Sequence, residues 1–277
     1  MRRLIINADD LGMNAPRSHG IFLCMEQGIV TNATLICNGS DSARAAKQAR
    51  EKHLPVGIHL NVTEGTPLSK HDDVQSLLHH HGAFLDRHHL RRAFDEGTVD
   101  PRHLEREIRA QIEWFLDHHG APTHLDGHHH MHIHPMIVPV LIPILQRYGI
   151  RFVRIPSDLL PPFGFEIENE QLQKAMTIAA QADAARILFD AEGISSTDSF
   201  RGLALTGTAS AKNLRHILGR LPEGTTELMV HPGSPTPIGT EFDRHPQRQT
   251  ELMMLTDPAV RSMLAERKIE LISYRDL

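Results

Sequence analysis

The sequence predicts an α/β fold, a distorted TIM-like (β/α) barrel, built as a single domain over residues 1–277 with one inserted segment. Three observations carry that expectation. Strand-like runs alternate with helical stretches along the whole chain, the pattern of a parallel sheet with helices outside it. About seven such units occur and none opens with Gly-x-Gly-x-x-Gly, which favours a barrel over a dinucleotide-binding sheet. The polar residues that stand out, Asp9, Asp10, His59, His128 and His231, fall where strands end, and barrel active sites sit at the C-terminal strand ends.

Each element has a local reason. Residues 4–6 are a short apolar run that stops at Asn7-Ala8-Asp9-Asp10-Leu11-Gly12, the exit of a strand into a β→α loop. Residues 15–27 read as a helix with Pro16 in its first turn and Gly28 as its stop. A strand at 33–37 and a helix at 42–53, capped by Ser40 or Asp41, follow. In the strand 56–62, Val56, Ile58, Leu60 and Val62 share one face and Gly57, His59 and Asn61 the other. The long polar stretch 63–100 is expected to be an insertion or lid over a cleft. A helix from 100 to 119 carries the apolar stripe Leu104, Ile108, Ile112, Phe115 and Leu116. Then come a strand at 123–126, a helix at 135–148, a strand at 151–155 and an irregular, proline-rich stretch at 157–168. The remainder reads as helix 170–188, strand 201–205, helix 209–221, strand 227–230, one long helix 248–267 and a last strand 269–272.

Composition removes several function classes. A net charge of −5 leaves no electrostatic footprint for DNA or RNA. No stretch reaches the roughly 18 apolar residues of a membrane span. The first apolar run is too short and too soon acidic for a signal peptide. Cys24 and Cys37 each lie in an apolar run and read as buried hydrophobes, so the chain is expected in a reducing, cytoplasmic compartment. A homo-oligomer stays open.

The chemistry centres on Thr123-His124-Leu125-Asp126-Gly127-His128-His129-His130-Met131-His132-Ile133-His134-Pro135. In an extended stretch, His128, His130, His132 and His134 would line one surface. Histidine is the commonest metal ligand and the natural acid/base near neutral pH. Asp10, His59 and His128 offer one carboxylate oxygen and two imidazole nitrogens; three ligands with open positions make a catalytic metal site. Asp9 is placed to act as general base and His231 as general acid. Singly, each has a plainer reading: an Asp-Asp turn, a hydrogen-bonded barrel-interior histidine, a turn before Pro-Gly. The histidine runs at 79–81 and 88–89 lack an apolar frame and read as solvated surface.

The ordered motifs Ile6-Asn7-Ala8-Asp9-Asp10-Leu11-Gly12, Gly28-Ile29-Val30-Thr31, Gly57-Ile58-His59-Leu60, the histidine stretch and Val230-His231-Pro232 resemble the YdjC-like carbohydrate deacetylases, a family that includes chitooligosaccharide deacetylases and a hopanoid-associated branch. The resemblance runs from Arg3 to Leu271-Ile272-Ser273-Tyr274. It implies a distorted barrel and metal-dependent removal of the N-acetyl group from an acetylated amino sugar. By the same resemblance Asp10, His59 and His128 hold one divalent ion, Asp9 is the base, His231 the acid, and Arg154 orients the base. The family points to Mg2+, whereas two imidazoles and one carboxylate suit Zn2+, cobalt or nickel on ligand softness. His130 and His132 are expected to orient the ligands or touch the sugar. Many relatives carry Asp-Ser-His where this chain has Asp126-Gly127-His128, which removes a hydroxyl but no ligand. A metal-dependent phosphoesterase and a non-catalytic histidine-rich metal-binding protein are the alternatives.

Overall fold

The structure is a computed structural model that describes residues 1–158, 165–236 and 240–277. In chain order its elements are β1 (Arg2–Leu11), α1 (Ala15–Gln27), β2 (Asn32–Leu35), α2 (Ser42–Glu51), β3 (Val56–Leu60), α3 (Arg87–Asp95), α4 (Pro101–His118), β4 (Leu125–Gly127), α5 (Val138–Tyr148), α6 (Asn169–Ala191), β5 (Ser199–Arg201), α7 (Ala211–Leu218), β6 (Gly224–Val230), α8 (Glu241–Arg244), α9 (Gln247–Leu255), α10 (Pro258–Glu266) and β7 (Ile269–Leu271). Every strand pairing is parallel, in the order β4-β3-β2-β1-β6-β5, with β7 on β1. Beyond the sheet's two ends the ring is carried by single bridges. Val153 pairs with Leu125 of β4, Phe152 with Ser195, and Asp158 with Phe200 of β5. The result is the expected TIM-like α/β fold, with a seam at 152–158 in place of a full strand.

β1 is the axis. Along one edge it runs in register with β6 from Arg2↔Gly224 to Ala8↔Val230. Its other edge takes β7 over Arg2–Leu4 and β2 over Asn7–Leu11, so Asn7-Ala8-Asp9-Asp10 is strand and not the expected loop. Leu4, Ile6, Ala8 and Leu11 are fully buried, as a parallel strand covered on both faces requires.

Caps set the helix starts. Asn14 accepts from the Arg17 amide, Asp100 from Arg102, and Asp257 from Ala259, each with proline in the first turn. Asp257-Pro258 also breaks the long helix expected at 248–267 into α9 and α10. Pro258 lacks the amide that the continuing ladder needs, and it biases Asp257 towards extended backbone. Asp41 stands at the start of α2 without a capping bond; its carboxylate pairs with Arg44 instead.

Two expected strands are corrected. Residues 151–155 form bridges only, because the chain here pairs with β4 through Val153 and with Ser195 through Phe152, one residue at a time. The strand expected at 201–205 lies at Ser199–Arg201; beyond it Gly202 folds back and accepts from the Leu205 and Thr206 amides. Of the irregular stretch expected at 157–168, residues 159–164 lie outside the described residues. The insertion 63–100 has structure of its own: two short 3-10 turns, a Leu78–Phe84 bridge and α3, with Leu77, Phe84, Leu90 and Phe94 buried. It is fastened to α4 where the Leu68 and Ser69 amides donate to buried Glu107.

Candidate active site

Asp9, Asp10, His59, His128 and His231 meet at the C-terminal ends of the strands. Two consecutive residues of a strand ordinarily point to opposite faces. At the end of β1 the register to β2 shifts between Ala8 and Leu11, and Asp10 adopts φ 68°, the left-handed region. The irregularity brings Asp9 and Asp10 to the same histidine: Asp9, His59 and Asp126 form one close group, and Asp10, His59 and His128 another. A non-glycine residue held in this conformation is the kind of strain that clusters at functional sites.

In the Asp10 group, His128 Nδ1 lies 3.1 Å and His59 Nε2 3.4 Å from the same oxygen, Asp10 Oδ1. The far nitrogen of each ring meets a further carboxylate. His59 Nδ1 is 2.6 Å from Asp126 Oδ1, as the β3–β4 register His59↔Asp126 dictates, and His128 Nε2 is 3.1 Å from Glu64 Oε2. Thr34 Oγ1 donates to Asp126 Oδ2 at 3.0 Å. Burial opposes ionisation of Asp10, but hydrogen bonds from His128 and His59 hold it well below the usual carboxylate range. Burial likewise opposes charging His59 and His128, yet Asp126 and Asp10 raise the first to about 10, and Asp10 and Glu64 the second to about 9.

Next to this group Asp9 is gripped by Arg154, whose guanidinium nitrogens reach its two oxygens at 2.5 and 2.7 Å. Asn7 Nδ2 donates to the same carboxylate at 2.8 Å. Arg154 is wholly buried and also meets Asp126 at 2.9 Å and Glu227 at 2.8 Å; Tyr274 hydroxyl donates to the other Glu227 oxygen at 2.7 Å. Burial works against the guanidinium charge, but these three carboxylates hold its pKa well above the ordinary value. His231 Nε2 stands 3.9 Å from Asp9 Oδ2. Burial pushes its imidazole down to about 4 against the pull of Asp9, Asp10 and Glu251. Arg17, also buried, is 3.8 Å from Asp10, 2.7 Å from Asp243, and donates to the His231 carbonyl at 3.3 Å. His128, Glu64 and His231, with side-chain exposures of 10%, 29% and 12%, are the parts of the cluster that reach solvent.

The histidine stretch does not alternate. Residues His128–Ile133 form a 3-10 segment with His129 and His130 at φ 54° and 57°, so the four expected histidines diverge. His132 is buried and donates through Nε2 to the Arg154 carbonyl at 2.9 Å. His130 is half-buried with no partner at Nδ1 among the described residues, and His134 stacks on Phe94 of the insertion at 4.6 Å. A Cβ on Gly127 would sit 2.9 Å from the His132 ring, which ties glycine at that position to this placement of His132. The sequence reading missed Asp126, Glu64, Glu227, Tyr274 and Arg17 as members of the site. Asp126 was in plain view in the motif, but Glu227 meets Arg154, and Tyr274 meets Glu227, only through the fold.

A TIM-like α/β chain with a buried histidine–carboxylate cluster at the C-terminal mouth of its strands is the class this geometry defines. Residues 3–266 match the family described as YdjC-like protein. The chain is 36% identical to the carbohydrate deacetylase of Homo sapiens over 295 residues, covering 99% of this chain and 91% of that one. It is 30% identical to the chitooligosaccharide deacetylase of Serratia marcescens over 278 residues, covering 99% and 98%. A crystal structure from Enterococcus faecalis, provisionally described as a cellobiose-phosphate cleavage protein, superposes with a TM-score of 0.77 at 22% identity over 99% of this chain and 98% of that one. The chain belongs to the YdjC-like protein family.

Proposed function

We propose that this chain is a metal-dependent hydrolase that removes the N-acetyl group from an acetylated amino sugar or oligosaccharide, releasing acetate. The observation that carries the reading is the meeting of Asp10, His59 and His128 beside an arginine-held Asp9 and a half-buried His231. Relatives named carbohydrate deacetylase and chitooligosaccharide deacetylase supply the substrate class.

The donor set fits a divalent ion. Asp10, His59 and His128 present one ligand atom each within 4.8 Å of one another, and each imidazole is backed by a carboxylate that fixes ring and tautomer. Two imidazoles and one carboxylate suit Zn2+ on ligand softness; Mg2+ is the other candidate. An ion held there supplies Lewis-acid polarisation of a carbonyl and a lowered pKa for water. The rest falls to the chain itself. Arg154 holds Asp9 by two charge-assisted bonds, presenting it as the base that takes the proton from the attacking water. Because burial keeps His231 neutral near pH 7, its proton for the departing amine has to arrive during turnover, and Asp9 at 3.9 Å is the adjacent source. His132, by holding the Arg154 carbonyl, positions that arginine.

The phosphoesterase alternative needs a cation free to bind phosphate. The arginines that reach Asp9 and Asp10 are already engaged, Arg154 by Asp9, Asp126 and Glu227 and Arg17 by Asp243, and the neighbouring buried Arg248 pairs with Glu251. Cys24 and Cys37 are unpaired and buried, which supports a reducing, cytoplasmic setting; among the described residues no helix is long and apolar enough to cross a membrane. The test is acetate release from a panel of N-acetylated sugars by metal-stripped and metal-restored protein. Metal-dependent acetate supports the assignment, and no acetate from any sugar with either ion, in a folded protein, overturns it.

A further inference from the structure

The insertion carries histidines that the catalytic cluster does not use. His79 and His81 flank a tight turn in which the His79 amide donates to the Ala83 carbonyl and the Gly82 amide to His79. The turn is pinned from outside by the ring of His71, which lies where a Cβ on Gly82 would be. Across from it stands the first turn of α3. There Asp86 caps the helix through Oδ1, accepting from the His88 and His89 amides at 2.8 and 3.0 Å, while its Oδ2 lies 2.6 Å from His89 Nδ1. The His79 and His89 rings meet edge to face at 5.2 Å, and His81 stacks on His79 at 5.3 Å.

We propose that His79, Asp86 and His89, with His81 as the neighbouring fourth donor, form a second metal site, selective for a transition ion such as Zn2+, that clips the 79–82 turn to the start of α3. Three donors from two elements lie within 4.8 Å of one another, on backbones that turn and cap bonds already fix. Zinc–nitrogen and zinc–oxygen bonds are about 2.0–2.2 Å, so closing the set asks only for rotamer adjustments of side chains that are half or more exposed at His89 and Asp86. The two Asp86 oxygens divide the work, one on the helix and one towards the ligands. His88 is not part of this close group, and its Nε2 accepts from Arg87. Imidazole-rich sites select zinc, nickel or copper over magnesium, so this site would stay empty in Mg2+ whatever ion serves catalysis.

The experiment is Zn2+ titration of the full chain by calorimetry, in Mg2+ buffer, for wild type and the His79→Ala/His89→Ala variant. Wild type is expected to bind one more equivalent of Zn2+ than the variant, and single variants to bind that equivalent at least tenfold more weakly. Far-UV circular dichroism and metal-stripped melting are expected to match wild type, as is metal-restored acetate release. With Cu2+ as probe, the histidine-nitrogen signature in electron paramagnetic resonance shrinks in the variant. Equal Zn2+ stoichiometry in the two folded proteins overturns the site. A wild type whose single equivalent is abolished by His59→Ala overturns it as well, and leaves the catalytic reading standing.

Discussion

At the scale of single residues, Arg154 is the point on which the site depends, because one buried guanidinium balances Asp9, Asp126 and Glu227. Arg154→Met leaves three buried carboxylates without their cation, and breaking a buried pair this way costs about 3–5 kcal/mol. Urea denaturation of the variant should show a loss of that size. Asp9→Asn keeps the shape but not the base. Acetate release is expected to fall by about 10²–10⁴-fold, with Zn2+ affinity changed less than tenfold, and calorimetry beside the acetate assay separates the two. Glu64→Gln addresses the far side of His128. Outer partners of ligating histidines are worth about 10–100-fold in metal affinity, so Zn2+ should bind the variant more weakly by that factor, and unchanged affinity would remove Glu64 from the site. Asp9, Asp10, His59, His128 and His231 were legible as residues because each ends a strand in an ordered motif. Glu64 and Tyr274 were not, since a lone glutamate in a loop and a tyrosine near residue 277 carry no spacing that links them to a histidine or a second glutamate far along the chain.

At the scale of elements, β3 shows why the strand has a glycine two residues before its histidine. A Cβ on Gly57 would stand 2.5 Å from His124 Nδ1 and 2.7 Å from the His124 carbonyl oxygen, and His124 in turn stacks on Tyr274 at 3.7 Å. Gly57→Ala should therefore lower stability by about 1–3 kcal/mol, as overpacking of a filled core does, measured by chemical denaturation. The alternation of hydrophobic runs made β1, β2, β3 and β6 legible, and the caps made α1 and α4 so. Periodicity failed at residues 128–134, where two left-handed residues replace the period of two, and at 151–155, where the chain shares its bridges among different neighbours. A length of five residues with strand-like composition does not say whether one partner or several will take its amides. The break between α9 and α10 was legible in principle from Asp257-Pro258, a cap followed by proline.

For the whole molecule, buried histidines set the response to pH. His119 and His134 are pushed down to about 4 and His124 to about 3, in each case chiefly by burial. A depressed histidine stays neutral in the folded chain while the unfolded chain takes a proton near pH 6.5, so its stabilisation is present above 6.5 and lost as pH falls towards 4. His59 and His128, raised to about 10 and 9, act in the opposite sense: their contribution is complete below 6.5 and lost as pH rises through 9 and 10. Metal-stripped protein should thus be most stable near pH 6.5, with denaturation midpoints declining on both sides; a plateau from pH 4 to 9 would contradict the burial of these rings.

The seam at 152–158 has a kinetic consequence. β1 and β6 share seven register pairs, whereas Val153 and Ser195 are each held to the ring by a single bridge or its flanking bonds. Amide hydrogens there, those of Val153, Arg154 and Ser195, are expected to exchange with deuterium well before those of β1, because local opening of a thin pairing requires much less than global unfolding. Arg154 hangs from that stretch by its own backbone, so each opening would carry the guanidinium away from Asp9. Opening of this thin pairing and loosening of the grip on the proposed base would then be coupled, with the Val153, Arg154 and Ser195 amides exchanging together.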